Sequence, residues 1–366
     1  MKMFFIVMLT IYLSGYVYIA WRITSGLNMH SYRAAVYFIF IALFVLSVLA
    51  FIFARSQSPL SPVIVPIGLT SMGIWGIFIT FFILADIANL LNLALHVKNF
   101  RLYSAYAALS LSLAVCVWSL LNSAFILRTK NITVPVANLP VSELKIVQLS
   151  DIHIHSATSP KTVNAIFGKV MKLNPDIILI TGDVSDMPLN ENGKFEEYGF
   201  DKLHAPYGVF AVTGNHEYYA GLNAFLEIFA KLGFRVLQNE NVLIDNLINA
   251  AGINDIDHKN RQVIEKVLSA SDKNYPVLFL SHQPESFDIA AEYGKDLNII
   301  QFSGHTHAGQ VPPIDIARRF FMKYNYGLYK IGEKAVLYVT SGTRYWGPPM
   351  RFITPSEITV ITLKNS

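Results

Sequence analysis

Residues 144–153 read Leu-Lys-Ile-Val-Gln-Leu-Ser-Asp-Ile-His, and residues 176–183 read Asp-Ile-Ile-Leu-Ile-Thr-Gly-Asp. In each, a short apolar run ends on a side chain that can hold a metal ion. The arrangement returns where Gly208–Val212 meets Gly214-Asn215-His216, where Val277–Leu280 meets Ser281-His282, and where Leu297–Phe302 meets Gly304-His305-Thr306-His307. Ala335–Thr340 and Glu357–Leu363 complete the set of strands. Between them, Ser159–Leu173 reads as a helix with Pro160 in its first turn and Val163, Ile166, Phe167 and Val170 on one face. A second helix is expected over Leu222–Leu232. Unbroken apolar strands are covered on both faces, so the pattern predicts an α/β sandwich of two mixed sheets flanked by helices. Ligands in such sheets bind beyond the strand ends, and the polar blocks all fall there. No internal repeat or low-complexity tract is present.

Outward toward the N-terminus the chemistry changes. The chain has 366 residues, is 53% hydrophobic and only 15% charged, and has a mean hydropathy of +0.40. Residues 1–130 hold one acid, Asp86, against eight bases, so 24 acids and 21 bases remain for residues 131–366. Four apolar stretches, about Phe4–Trp21, Ala34–Ala54, Val63–Ala85 and Tyr103–Leu127, approach or exceed the roughly 20 residues a helix needs to cross a bilayer. The first reads as a span rather than a cleaved leader, because no small-x-small site follows Ala20. Asp86 reads as an interfacial residue on a helix that runs on past Asn89 and Asn92 toward His96. The organisation expected is a four-helix transmembrane anchor over 1–130, a linker over 131–143 and the α/β domain over 144–366. The pI near 8.9 arises from bases flanking the spans and gives no ground for a nucleic-acid partner. Cys116 is the only cysteine and lies inside a span, which excludes internal disulfides and thiol chemistry in the α/β domain.

Seven donors stand at the strand ends: Asp151, His153, Asp183, Asn215, His282, His305 and His307. Asp151 and His153, like His305 and His307, are two apart, so on extended backbone each pair points to one side. The Asp183 carboxylate has two oxygens and can bridge two ions. Asn215 adds a neutral oxygen. A mixed oxygen and nitrogen set suits Mn²⁺, Fe or Zn²⁺ better than Ca²⁺.

These blocks, Asp-Ile-His, Gly-Asp, Gly-Asn-His-Glu, Ser-His and Gly-His-Thr-His, resemble those of the calcineurin-like metallophosphoesterases in identity, order and spacing. Gly309-Gln310, Gly327-Leu328-Tyr329, Ser341-Gly342-Thr343 and Pro348-Pro349-Met350-Arg351 are similar to a membrane-associated subgroup, with Ala308 where that subgroup usually has glycine. The resemblance implies one divalent ion on Asp151, His153, Asp183 and His307 and a second on Asp183, Asn215, His282 and His305, with Mn²⁺ the expected metal. It implies attack of activated water at phosphorus, with His216 and Asp183 as the catalytic residues. Asp186 has no role in this reading. His155 reads as a solvated loop residue with substrate contact as the alternative, and His30, His96, His204 and His258 as loop or interface residues.

Among family members of this build, the chain resembles the membrane-anchored UDP-2,3-diacylglucosamine hydrolases of lipid A synthesis. That implies a nucleotide-linked lipid substrate, a multi-pass inner-membrane location and a catalytic domain facing the cytoplasm. Bases flanking the spans are balanced, four against four, so charge alone leaves the topology open. A phosphodiesterase of other envelope lipids or cell-wall polymers is the alternative, and a transporter or sensor with a regulatory head the third reading. No obligate protein partner is evident. The run from Ile316 to Tyr329 places Arg318, Arg319, Phe321 and Lys323 among aromatics, as a membrane or substrate docking flap would. An ordinary capping loop has the same composition.

Overall fold

In the computed structural model, which describes residues 2–56, 58–188 and 195–366, four helices open the chain: α1 (Lys2–Gly26), α2 (Arg33–Ala54), α3 (Ser61–Leu95) and α4 (Phe100–Phe125). Their apolar stretches of 22, 25, 35 and 26 residues are long enough to cross a membrane. Even 22 residues rise about 33 Å, against a hydrocarbon core of about 30 Å. Outward side chains such as Phe38, Ile52, Leu90 and Phe125 are apolar and exposed, the surface a bilayer takes and water does not. The lone acid of these helices, Asp86, is paired. Asp86 Oδ1 pairs with the Arg22 guanidinium at 2.5 Å, and Tyr18 Oη donates to Oδ2 at 2.5 Å. Arg22 is 2% exposed, so this charge needs its partner.

Beyond α4 come β1 (Leu127–Val136), β2 (Glu143–Leu149), α5 (Pro160–Met171), β3 (Ile177–Thr181), β4 (Val209–Val212), α6 (Asn215–Ala220), α7 (Leu222–Lys231), β5 (Arg235–Val236), β6 (Glu240–Ile244) and β7 (Ile248–Gly252). The remainder is α8 (Arg261–Ser269), β8 (Val277–Leu280), α9 (Ser286–Tyr293), β9 (Ile299–Ser303), α10 (Ile314–Phe321), β10 (Gly327–Ile331), β11 (Ala335–Val339) and β12 (Ser356–Asn365). One six-stranded sheet has the order β1-β12-β2-β3-β4-β5, the other β10-β11-β9-β8-β7-β6. Both are mixed: β2, β3, β4 and β5 run parallel, as do β7, β8, β9 and β11, while β12 against β2 and β6 against β7 are antiparallel.

Alternation along each strand fills two layers at once. Ile146, Ile177 and Leu179 meet Leu278, Leu280, Ile300 and Phe302 between the sheets. Their neighbours Val147, Ile178 and Ile180 pack outward on Val163, Phe167, Phe225 and Phe229 of α5 and α7. On the second sheet Val277, Phe279 and Ile299 pack on Ile264, Val267 and Ile289 of α8 and α9. Both faces are dry, which is why the strands read as unbroken apolar runs. Each such side chain contributes about 1.5–3 kcal/mol by leaving water.

Two boundaries differ from the sequence reading. The first six residues of the stretch expected as a linker over 131–143 belong to strand β1, paired parallel to β12 from Leu127↔Ser356 to Val136↔Asn365. Its polar residues and Pro135 disguised it, and an edge position tolerates both. The α/β domain is also not one continuous stretch. The helical unit comprises Met1–Ile126 together with Gly309–Phe320 and Gly347–Thr354, and the sandwich unit holds Leu127–Ala308, Phe321–Trp346 and Pro355–Ser366. Val311 and Met350 belong to the helical core with Tyr16, Ile77 and Phe78. Trp118 Nε1 donates to the Phe352 carbonyl at 2.8 Å and Asn122 Nδ2 to that of Arg351 at 2.9 Å. A Cβ on Gly73 would stand 2.3 Å from Met350 Sδ, so the inserted segment requires glycine there.

Candidate metal centre

The site forms where β2, β3, β4, β8 and β9 end. After β2 the chain does not stay extended: Asp151 and His153 have φ of 53° and 47°, Asp183 follows at 53°, and His305 and His307 at 70° and 51°. Expected same-side pairing on extended backbone is therefore replaced by left-handed kinks. These conformations are costly for residues with a Cβ and persist only where the surroundings fix them. Here hydrogen bonds do so: Asp151 N donates to Gly182 O and His153 N to Asp183 O. Arg344 Nη1 donates to the carbonyls of Ile152 and His153 at 2.9 and 3.2 Å.

Six of the seven donors predicted from sequence fall into connected groups. Asp151, His153 and His307 form one cluster, with His307 Nε2 3.3 Å from Asp151 Oδ1 and 3.1 Å from His153 Nε2. Asp183, His282 and His305 form another, with His282 Nε2 3.1 Å from Asp183 Oδ2. The same Oδ2 lies 3.6 Å from His153 Nε2, so one carboxylate oxygen faces both groups. Asn215 Oδ1 is buried and accepts no hydrogen bond from any described residue. An orphaned buried carbonyl costs about 1–3 kcal/mol, and a cation would satisfy it. That vacancy of partners, beside two carboxylates and four imidazoles, fits a pair of divalent ions.

Supporting residues hold the donors in register. His282 Nδ1 meets Thr181 O at 2.7 Å, which leaves Nε2 toward the cluster. Asp186 Oδ1 lies 2.6 Å from His153 Nδ1 and 2.7 Å from His216 Nδ1. His216 Nε2 is 4.0 Å from Asp183 Oδ2, close enough to address the same reaction centre. Glu217 is 1% exposed and accepts from the backbone of Asp183, Gly214 and Val184 at 2.9, 2.6 and 2.7 Å. A Cβ on Gly214 would sit 2.2 Å from Asp183 Oδ1, so the bridge position depends on that glycine. Asp186 and Arg344 escaped the sequence reading. Asp186 stood three residues after Asp183 as the only hint, and Arg344, far along the chain, gave none.

Electrostatics follow from burial and crowding. Burial alone would raise the carboxyls of Asp151, Asp183 and Asp186, but the surrounding imidazoles hold all three below the usual range. Burial disfavours charge on His153, yet Asp186, Asp151 and Asp183 lift it to about 10. His282 is raised well above its ordinary value against the same burial, chiefly by Asp183. Burial and Arg344 push His155 down to about 4, and its Nδ1 accepts from Ala157 N at 3.2 Å. At 5% exposure His155 is a buried neutral imidazole, not a solvated loop residue. Of the docking residues, Arg318 and Arg319 sit on α10 within the helical unit, while Lys323 is tied to Asp288 at 2.8 Å in the sandwich unit.

The calcineurin-like phosphoesterase profile matches residues 144–309. An uncharacterized metallophosphoesterase of Campylobacter jejuni is 31% identical over 383 aligned positions, covering 99% of this chain and 98% of its own. A transmembrane protein with metallophosphoesterase domain from Danio rerio is 32% identical over 274 residues, covering 71% of this chain and 62% of its own. An uncharacterized metallophosphoesterase of Helicobacter pylori is 36% identical over 226 residues, covering 60% of each. The chain thus spans about three fifths of the length of the first curated relatives it matches.

Proposed function

Because this chain belongs to the calcineurin-like metallophosphoesterases, we propose that it is a membrane-anchored hydrolase of phosphoester or phosphoanhydride bonds in a lipid-linked substrate. The observation that carries the chemistry is the meeting of strand-end donors around Asp183 Oδ2. Asp151, His153, Asp183 and His307 would hold one divalent ion, and Asp183, Asn215, His282 and His305 the other. Bound there, a metal pair supplies Lewis-acid stabilisation at phosphorus and lowers the pKa of water.

The chain's own groups then divide the work. His216, steadied through Nδ1 by Asp186, turns Nε2 toward the centre to protonate or orient the departing oxygen. A water oxygen bonds to phosphorus, the bond to the leaving oxygen breaks, and that oxygen takes the proton. Glu217 and Arg344 keep the ligand loops in place. Four apolar helices on the same chain support a lipid substrate, since anchor and substrate then share one surface and meet at high effective concentration.

UDP-2,3-diacylglucosamine is the substrate this reading favours, cleaved to UMP and 2,3-diacylglucosamine 1-phosphate at the cytoplasmic face of the inner membrane, with Mn²⁺ as the working metal. The test is to incubate the detergent-solubilised full chain and Mn²⁺ with that lipid and, separately, with bis-p-nitrophenyl phosphate. UMP release supports both chemistry and substrate. Cleavage of the soluble diester alone removes this lipid and favours another envelope diester, and a topology reporter fused after Ser366 then decides the side. Turnover of neither sinks the reaction class.

A further inference from the structure

Helix α10 is built inside out. A helix on a water-facing protein turns its apolar stripe inward and its charges outward. In α10 the acid Asp315 is 1% exposed, and Arg319 reaches Thr354 Oγ1 at 3.3 Å, so the polar side faces its own unit. The outward side is apolar. Ile314 and Ile316 are 46% and 41% exposed, Phe320 and Phe321 80% and 88%. At 100° per residue, Ile316, Phe320, Ala317, Phe321 and Ile314 cover one continuous arc, and Arg318 and Arg319 flank it on opposite sides.

We propose that α10 is an interfacial membrane helix, with this arc immersed at the headgroup–acyl boundary of the bilayer and its arginines placed for anionic headgroups. Three observations select a bilayer over a protein partner. All of the helix but its last residue, Phe321, belongs to the compact unit built on α1–α4, whose own outward side chains are apolar. Paired arginines beside aromatics complement an anionic lipid surface. An eight-residue helix is about 12 Å long and cannot present the roughly 800 Å² per side that a stable protein interface requires. The inference is independent of the proposed reaction, because it concerns where the helix lies and not what the metal centre cleaves.

The test uses the full chain, one copy per lipid nanodisc of phosphatidylcholine and phosphatidylglycerol. An environment-sensitive fluorophore is placed through Phe321→Cys or, in a second variant, Phe320→Cys. Lys273→Cys, on an exposed residue of the sandwich unit, is the aqueous control. Cys116 is buried, and unlabelled parent protein checks that it does not react, with Cys116→Ser as the background if it does. The expected result is a blue-shifted emission at 320 and 321, quenched severalfold more than the control by lipids brominated near the carbonyl end of their chains. Emission and quenching equal to the Lys273 label overturn the proposal. A blue shift without quenching by brominated lipid also overturns it, because the face is then covered by protein.

Discussion

The carboxylate of Asp186 lies 2.7 Å from Nδ1 of His216, and the same oxygen lies 2.6 Å from Nδ1 of His153. One partly buried acid therefore orients a metal-donor histidine and the histidine expected to act on the leaving group. Asp186→Asn should lower metal affinity or activity by about 10–100-fold. His216→Ala should keep its metal and lose about 10²–10⁴-fold in kcat. Metal content and steady-state kinetics on both variants check this. An Asp186→Asn protein with wild-type values in both would remove the shared role.

The backbone cradle under Asp183 makes a second prediction. Gly214→Ala puts a methyl 2.2 Å from Asp183 Oδ1, and overpacking of this kind costs about 1–3 kcal/mol. Glu217→Ala strands the amides of Asp183, Gly214 and Val184, at about 1–3 kcal/mol for each. Both variants should melt earlier than wild type and bind less metal. Unaltered melting of either would show that the cradle is relaxed.

Protons and metal compete for the same donors. The metal-free protein holds His153 at about 10, above the ordinary imidazole value near 6.5. A raised folded-state value means stability that is complete below about pH 6.5 and lost as pH rises toward 10. Asp151, Asp183 and Asp186 are depressed, so their contribution is present above about pH 4 and lost on acidification. From these groups, chelator-treated protein should weaken as pH rises from about 6.5 toward 10 and again on acidification below about pH 4, with added Mn²⁺ restoring the alkaline side. Thermal unfolding across pH, with and without metal, reads this directly.

In the helical unit, the segment Gly347–Thr354 is held by Met350 in the core and by the carbonyl bonds from Trp118 and Asn122. Met350→Ala should cost about 2–5 kcal/mol through the cavity it leaves. Gly73→Leu should destabilise as well, by driving a side chain into Met350. Thermal unfolding in detergent checks both, and unchanged stability in the pair would place the segment outside the core.

Legibility in the sequence followed how local each signal was. The strands, the four long apolar helices and the gathering of six candidate donors at the strand ends were readable because each lies in one short run with its own pattern, as in Ile177–Asp183 or His305–His307. Features set by distant residues were not. Arg344 braces Ile152 and His153 from nearly two hundred positions away, and Asp86 acquires Arg22 only once α1 and α3 pack. Strand β1 was hidden because Arg128, Lys130 and Pro135 are tolerated at a sheet edge that the sequence does not mark. Two-apart spacing grouped Asp151 with His153 on the premise of extended backbone, whereas both sit on left-handed backbone.

Asp183 is proposed to bridge a pair of metal ions, and metal stoichiometry reads that bridge. Full-length protein loaded with Mn²⁺, freed of excess ion and counted by plasma mass spectrometry, should carry two ions per chain, and Asp183→Ala at most one. Two ions retained by Asp183→Ala, or a single ion in the fully loaded wild type, would contradict it.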